Sequence, residues 1–339
     1  MKSSAFHPDP AAGVSRSPTW RGMLAALAAL SACVALPVHA QDFPSKPVRI
    51  LVGSAPGGGV DTFSRVIAQK LTEMWGQPVV VENKLGASAS IAADFVAKSP
   101  PDGYTVVMGI PNSHTIGPHV LKLPYDVLRD FTPITLVMEV PHVLVVNATN
   151  PAKSIQDLVA AAKANPGKLN YYSSGIGSTQ HLAGEMFKLK AGIDVVHVPY
   201  KGSAPAIADV LGGIITMGFD PTSASLGQIK AGKLKVLATA APKRTPALPD
   251  VPTTAEAGYP GLAMATWYGL FGPANMPRAV VEKWQRDVAK VIAMPDVQQR
   301  IADVAAEARA STPEQFTAFV REQYDTMGKL VKDANVKAE

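Results

Sequence analysis

Apolar and polar positions follow two alternating rhythms along this chain. VRILVG (Val48 to Gly53) is an apolar run bounded by turn residues. That pattern fits a strand buried on both faces of a parallel sheet. Next, Phe63, Val66, Ile67, Leu71 and Met74 fall at helical spacing until Gly76, which predicts an amphipathic helix with a glycine stop. PVVVEN (Pro78 to Asn83) predicts a second strand. SIAADFVAKS (Ser90 to Ser99) predicts a short helix closed by Pro100 and Pro101, and YTVVMGI (Tyr104 to Ile110) a third strand. Strand and helix in strict alternation imply an α/β architecture with right-handed crossovers.

FTPITLVMEVPHVLVVNA (Phe131 to Ala148) breaks the rhythm. It is a long extended run interrupted by Pro141, and it reads as a strand leaving one domain and entering another. The alternation then resumes with a helix over 155–164, a strand over 169–172, a helix over 178–189, a strand over 195–198, a helix over 204–211 and strands over 214–219 and 233–241. A proline-rich stretch over 241–261 follows. AMATWYGLFGPANMP (Ala263 to Pro277) is a second extended run that carries the chain back, and helices over 278–293 and 313–331 finish it. Two crossings between two α/β lobes are the wiring of a hinged binding protein with a ligand cleft. The expected division is 41–140 with 264–339 in one lobe and 141–263 in the other.

The first 40 residues change the compartment. Lys2, Arg16 and Arg21 precede the apolar segment Gly22 to Pro37, and VHA (Val38 to Ala40) offers small residues for cleavage before Gln41. This is the plan of an export signal, too short to span a membrane comfortably. LSAC (Leu30 to Cys33) offers the rival plan of a lipoprotein anchored through Cys33. Cleavage before Gln41 leaves 299 of the 339 residues, with no cysteine. It also removes Lys2, Arg16, Arg21 and Asp9, lowering net charge from +5 to +3. That excess is too small, and too scattered, to argue for nucleic acid. No other stretch reaches 18 apolar residues, so the exported chain is expected to be soluble; a monomer is expected.

GSAP occurs twice, at Gly53 to Pro56 and Gly202 to Pro205, and SSGIGS (Ser173 to Ser178) repeats the same strand–small loop–helix plan. The first N–H groups of a helix lack internal partners and carry partial positive charge. Glycine and serine let an anion reach them. Such loops are therefore candidate carboxylate or phosphate cradles, although a tight turn alone needs the same residues. Rival chemistries lack their letters. SAPGGGVD has no Lys-Ser/Thr ending of a phosphate-binding loop, GIGSTQ lacks the third glycine of a dinucleotide fingerprint, and no G-x-S-x-G elbow occurs. The seven histidines form no metal-ligand spacing. Neither a cofactor, a metal nor a catalytic pair is expected.

Taken together, several stretches resemble the extracytoplasmic receptors of tripartite tricarboxylate transporters, the Bug receptors. They are FPSKPVRILVGSAPGGGVDTFSR, LPYDVLRDFTPIT, GSTQHLAGEMFK, VPYKGSAPAIADVLGG, IKAGKLKVLAT, LPDVPTTAEAGYPG and WYGLFGPANMP, in that order over nearly the whole exported chain. The resemblance implies a type II periplasmic-binding-protein fold, two α/β lobes joined by two extended crossover strands. It further implies capture of a small organic carboxylate (a di- or tricarboxylate, an amino acid or an aromatic acid) for a membrane permease. By that resemblance the first cradle is Ser54 to Asp61, with Ser54, Ala55, Gly57, Gly58, Gly59 and Asp61 as site candidates. Ser173, Gly177, Ser178, Thr179, His181, Tyr200, Gly202 and Ser203 come from the second lobe. Asn112 and Ser113 follow the third strand. Relatives usually carry proline and an aromatic where this chain has Gly53 and Ser54, which implies a roomier or more polar pocket.

Several candidates carry two readings. Asp61 suits a ligand ammonium or its own helix start. Ser178 and Ser203 suit caps and ligand contacts together. His181 suits a ligand or a structural site, and Tyr200 an apolar ligand body or a plain wall. Lys201 suits a second carboxylate or solvent. Asp220 suits the cleft or a turn with Pro221. Two other functions remain open on sequence alone: an exported α/β enzyme acting on a small acid, and a receptor feeding a sensor kinase.

Overall fold

The computed structural model describes residues 43–337; the expected export signal and Cys33 lie outside them. One sheet path runs through the strands over 79–83, 48–52, 105–109, 265–273, 131–147, 217–221, 170–173 and 196–199, in that order. Strands β1 (Val48–Val52), β2 (Val79–Asn83) and β3 (Thr105–Gly109) are parallel, and helices α1 (Gly59–Trp75) and α2 (Ser90–Ala97) connect them. After β3 a π-helical turn (Asn112–Ile116) runs into the short α3 (Gly117–Val120). Strand β4 (Phe131–Asn147) is 17 residues long. Helix α4 (Ile155–Ala164), β5 (Asn170–Ser173), α5 (Thr179–Ala191), β6 (Val196–Pro199), α6 (Ser203–Leu211) and β7 (Met217–Pro221) build the second parallel group, followed by α7 (Thr222–Lys230) and β8 (Leu234–Thr239). Strand β9 (Ala265–Pro273) returns, and α8 (Arg278–Ile292), α9 (Pro295–Asp303), β10 (Glu307–Ala308) and α10 (Pro313–Asp333) end the chain.

Two lobes result, because β4 changes partners along its length. Phe131 to Pro141 pair with β9, whereas His142 to Asn147 pair with β7 and β8. Pro141 sits at the exchange point. A proline cannot donate to a ladder, and where the partner strand changes no donor is needed, so the strand runs on through it. The crossings are tied by a ring of main-chain bonds. His142 N–H donates to the Met264 carbonyl (3.1 Å), Met264 N–H to that of Ala240 (2.7 Å), and Ala240 N–H to that of His142 (2.8 Å).

Each lobe buries its own apolar groups. Val48, Ile50, Phe63, Ile67, Leu71 and Trp284 belong to the first core, and Leu144, Leu158, Tyr171, Phe187 and Phe219 to the second. Helix α10 touches both. Phe316 and Val320 near its start pack with Trp267 and Phe271, while Val331 at its end, with Ala334 and Val336 beyond it, joins the second core. The helix starts on a capping box, with Thr312 Oγ1 accepting from the Gln315 amide (3.2 Å) and Gln315 Oε1 from the Thr312 amide (3.0 Å). Thr312→Ala is expected to cost about 1 kcal/mol in urea unfolding.

Candidate functional site

A cavity of about 650 Å³ lies between the lobes, within the usual range for small-molecule sites. Five helices begin at its wall. Gly58, Gly59 and Val60 open α1; Ala89, Ser90 and Ile91 open α2; Thr179 and Gln180 open α5; Gly202 and Ser203 open α6; Pro221, Ser223 and Ala224 surround the start of α7. Four of the five, α1, α2, α6 and α7, have no side-chain cap. The missing cap is not what distinguishes them, since α8 and α9 lack one too. Convergence is. Five sets of helix-start N–H groups around one cavity give it a positive interior without a single buried cation. Of the charged residues that line it, Lys122 and Lys201 are exposed, and Asp94 pairs with Lys98 (2.6 Å). Among the lining residues none is arginine or histidine.

The lobes are closed on each other. Ser88 Oγ donates to the Ile176 carbonyl across the cleft. Asn112 Nδ2 donates to Ser174 Oγ (3.3 Å), and Asn112 Oδ1 accepts from the Thr179 amide (3.2 Å). The Ser223 and Tyr268 hydroxyls are 2.7 Å apart. The two GSAP loops meet: a Cβ on Gly202 would stand 3.8 Å from the Ala55 Cβ. Gly59 is tighter still. A Cβ there would fall 2.3 Å from Ser223 Oγ and 2.7 Å from the Tyr268 hydroxyl, so only glycine permits this approach.

The sequence profile of the tripartite tricarboxylate transporter family receptor matches residues 63–336. BugT of Bordetella pertussis is 33% identical over 309 residues, covering 91% of this chain and 95% of BugT. The chain belongs to this receptor family. Among solved structures it is similar to R. palustris Rpa4515 with adipate (35% identity, TM-score 0.85, covering 87% of this chain and 99% of that one). It is also similar to MatC from Rhodopseudomonas palustris with bound malate (31% identity, TM-score 0.82, covering 85% and 100%). The protein is therefore a solute-binding receptor of the periplasmic binding-protein type, and among the described residues no helix is long and apolar enough to cross a membrane.

Of the residues singled out in the sequence, Ser54, Gly58, Gly59, Asn112, Thr179, Tyr200, Gly202 and Ser203 line the receptor's cavity. The Ser54 hydroxyl is buried and, among the described residues, has no hydrogen-bond partner. The Tyr200 hydroxyl donates to Asp209 Oδ2 (2.5 Å); burial, with that bond, raises the phenol pKa to about 12. Ala55, Gly57, Asp61, Ser113, Ser173, Gly177, Ser178, His181 and Asp220 do not line it. Asp61 is held by Arg65 Nε (3.0 Å) and Nη2 (2.9 Å), the Gly57 amide (3.0 Å) and Asn83 Nδ2 (2.8 Å). Burial raises its pKa, but these donors outweigh it and hold the carboxyl below the usual range. Ser113 bonds His114 Nδ1 (2.8 Å), and Ser173 bonds His197 Nε2 (2.7 Å). Ser178 caps α5 through the His181 amide (3.2 Å), Gly177 donates to His181 Nδ1 (3.2 Å), and the His181 ring stacks on His197 at 4.0 Å. Asp220 is fully buried behind Gln180, which donates to it from Nε2 at 2.6 Å.

Gly53 qualifies the expectation of a roomier pocket. A Cβ on it would fall 2.3 Å from the Ala89 Cβ, so the turn over 87–89 moves in where a larger residue would stand. That turn is unusual in having positive φ at three consecutive residues, Ala87, Ser88 and Ala89 (43°, 51° and 72°). Ser88, Ser90, Ser174, Gln180, Ser223, Thr266 and Tyr268 also line the cavity. Two of their loops carry a readable signal, since GASAS (Gly86 to Ser90) and FDPTSAS (Phe219 to Ser225) repeat the strand–small loop–helix plan. Tyr268 carries none, because it reaches the site only through pairing of β9.

Proposed function

We propose that this receptor captures a small organic carboxylate, held chiefly by main-chain N–H groups of both lobes, and delivers it to the permease of a tripartite tricarboxylate transporter. The carrying observation is the convergence of five helix starts on one closed interlobe cavity. An anion there gains charge-assisted hydrogen bonds without the cost of desolvating a buried ammonium or guanidinium. The ligand shifts the open–closed balance because closure alone assembles both halves. Lys122 and Lys201 at the rim suit a second carboxylate, and relatives solved with adipate and malate support a dicarboxylate. Capture needs no bond making, so the protein acts as a receptor rather than an enzyme.

Malate, adipate, citrate, aspartate and benzoate are the first acids to test by thermal shift and calorimetry. At least one is expected to raise Tm, since a ligand that binds only the folded state stabilises it, by about 2.7 kcal/mol at a hundredfold excess over Kd. The bound acid should be recovered intact. No response to any acid, or turnover of one, would overturn the proposal.

A further inference from the structure

A carboxyl group lies one side chain behind the wall of the cavity, and the cradle itself does not require it. Asp220 is the penultimate residue of β7, is fully buried, and contacts the second lobe's half of the site through Gln180. The Gln180 amide binds three loops at once. Its Nε2 donates to Asp220 Oδ1 (2.6 Å) and to Ser203 Oγ (2.9 Å), and its Oε1 accepts from the Ser174 amide (2.7 Å). Ser174, Gln180 and Ser203 all line the cavity. Asp220 therefore fixes the orientation of the amide that sets the start of α6 against the loop after β5.

We propose that Asp220 is the positioning residue of this half-site and that capture of an anion is linked to uptake of one proton by its carboxylate.

This linkage rests on the carboxylate-receptor function. The helix starts that would hold the ligand also surround Asp220, which lies two residues before α7 and faces α5 and α6 through Gln180 and Ser203. A ligand anion places a second negative charge in the same dry region, and two like charges in such a site do not both persist. The proton comes from solvent, forms O–H on the carboxyl, and takes its charge from −1 to zero. Oδ2 is the oxygen placed to receive it, since among the described residues it is buried without a hydrogen-bond partner. The groups facing the carboxyl cannot supply a compensating charge. They are Tyr172 from β5, Gln180 from α5, Ser203 from α6, Ser225 from α7 and, across the crossing, Tyr268 from β9. Strand β4 pairs Val143 with it, next to His142, whose ring stays neutral because burial lowers its pKa to about 3. The two phenols are pushed up by burial and do not ionise near neutrality. Burial already raises the Asp220 carboxyl to about 6, against the opposing pull of Ser203, Tyr172, Gln180 and Ser225.

The sign follows. Below that value the carboxyl already holds its proton, so capture takes up none. Above it, capture takes up a fraction approaching one, and Kd weakens by up to about tenfold per pH unit until the liganded carboxyl also ionises. Malate and adipate titrations of wild type and Asp220→Asn, run at pH 5 and pH 7 in buffers of different ionisation enthalpy, count the protons. Subtracting the variant cancels protons exchanged by the ligand itself. The expected result is uptake at pH 7 in wild type and none in Asp220→Asn, whose Kd should change with pH only as the ligand itself titrates. Should the variant not fold, difference infrared spectra of wild type at pH 7 serve instead, and a protonated-carboxyl band is expected to appear on binding. An acid that binds without proton uptake or such a band, or uptake unchanged in Asp220→Asn, would overturn this inference and leave the receptor function standing. Absence of any binding would overturn both.

Discussion

Gly59→Val is expected to abolish tight ligand capture while leaving both lobes folded. The substituted Cβ would overlap Ser223 Oγ, on the second lobe, and the Tyr268 hydroxyl, on the first lobe's β9, so the Ser223 clash appears on closure while the tyrosine must give way in either state. Gly59 has ordinary helical surroundings otherwise, and α1 keeps its buried stripe of Phe63, Ile67 and Leu71. An open receptor offers one half of the cradle. Losing two charge-assisted hydrogen bonds at about 1.5–3 kcal/mol each weakens Kd by roughly 100-fold or more. Calorimetry with the best acid reads the loss, and the unliganded Tm should stay near wild type. A valine variant that binds normally would mean that the ligand is held without closure. Gly58 makes a milder control. A Cβ there meets nothing nearer than the Ala55 carbonyl at 3.3 Å, so Gly58→Ala should retain most of the affinity.

His142→Leu is expected to flatten the loss of stability in acid. His142 sits at the crossing, fully buried, and among the described residues neither ring nitrogen has a hydrogen-bond partner. Burial lowers its pKa from 6.5 to about 3. Its folded state therefore refuses a proton that the unfolded chain accepts. Stability is complete above pH 6.5 and falls as pH drops toward 3. At pH 4.5 the penalty is about 2–3 kcal/mol. Urea unfolding at pH 7.5 and pH 4.5 should show the wild-type drop reduced by that amount in the variant. At pH 7.5 the variant should be no less stable, because leucine removes two unsatisfied buried polar atoms. Equal drops in the two proteins would contradict a neutral, dry His142. His114 is also buried and lowered to about 3, but it keeps Ser113 as a partner, so it is the less direct probe.

Much of this architecture is readable from the letters. The parallel strands announce themselves as short apolar runs, and the two extended segments mark the crossings, because neither leaves room for a helix. The helix over 295–303 does not separate from its neighbour by periodicity, although Pro295 at its first turn is a start signal. The strand expected over 214–219 begins instead at Met217, since the residues after α6 first close that helix. At the site, the GSAP loops are legible because the same strand–small loop–helix plan recurs three times in one chain. The layer behind the wall is not. Whether Asp61 faces a ligand or Arg65, and whether Asp220 reaches the cleft or stops behind Gln180, depends on side-chain direction at a strand or helix end. Contacts between strands far apart in sequence, such as Tyr268 with Ser223, leave no local pattern at all.

The binding chemistry is tested most directly by a crystal structure of the receptor with its tightest acid. One ligand carboxylate is expected within about 3.2 Å of main-chain N–H groups at both the α1 start (Gly58 to Val60) and the α6 start (Gly202 and Ser203). A ligand held by the Lys122 and Lys201 side chains alone, or seated outside the interlobe cavity, would contradict it.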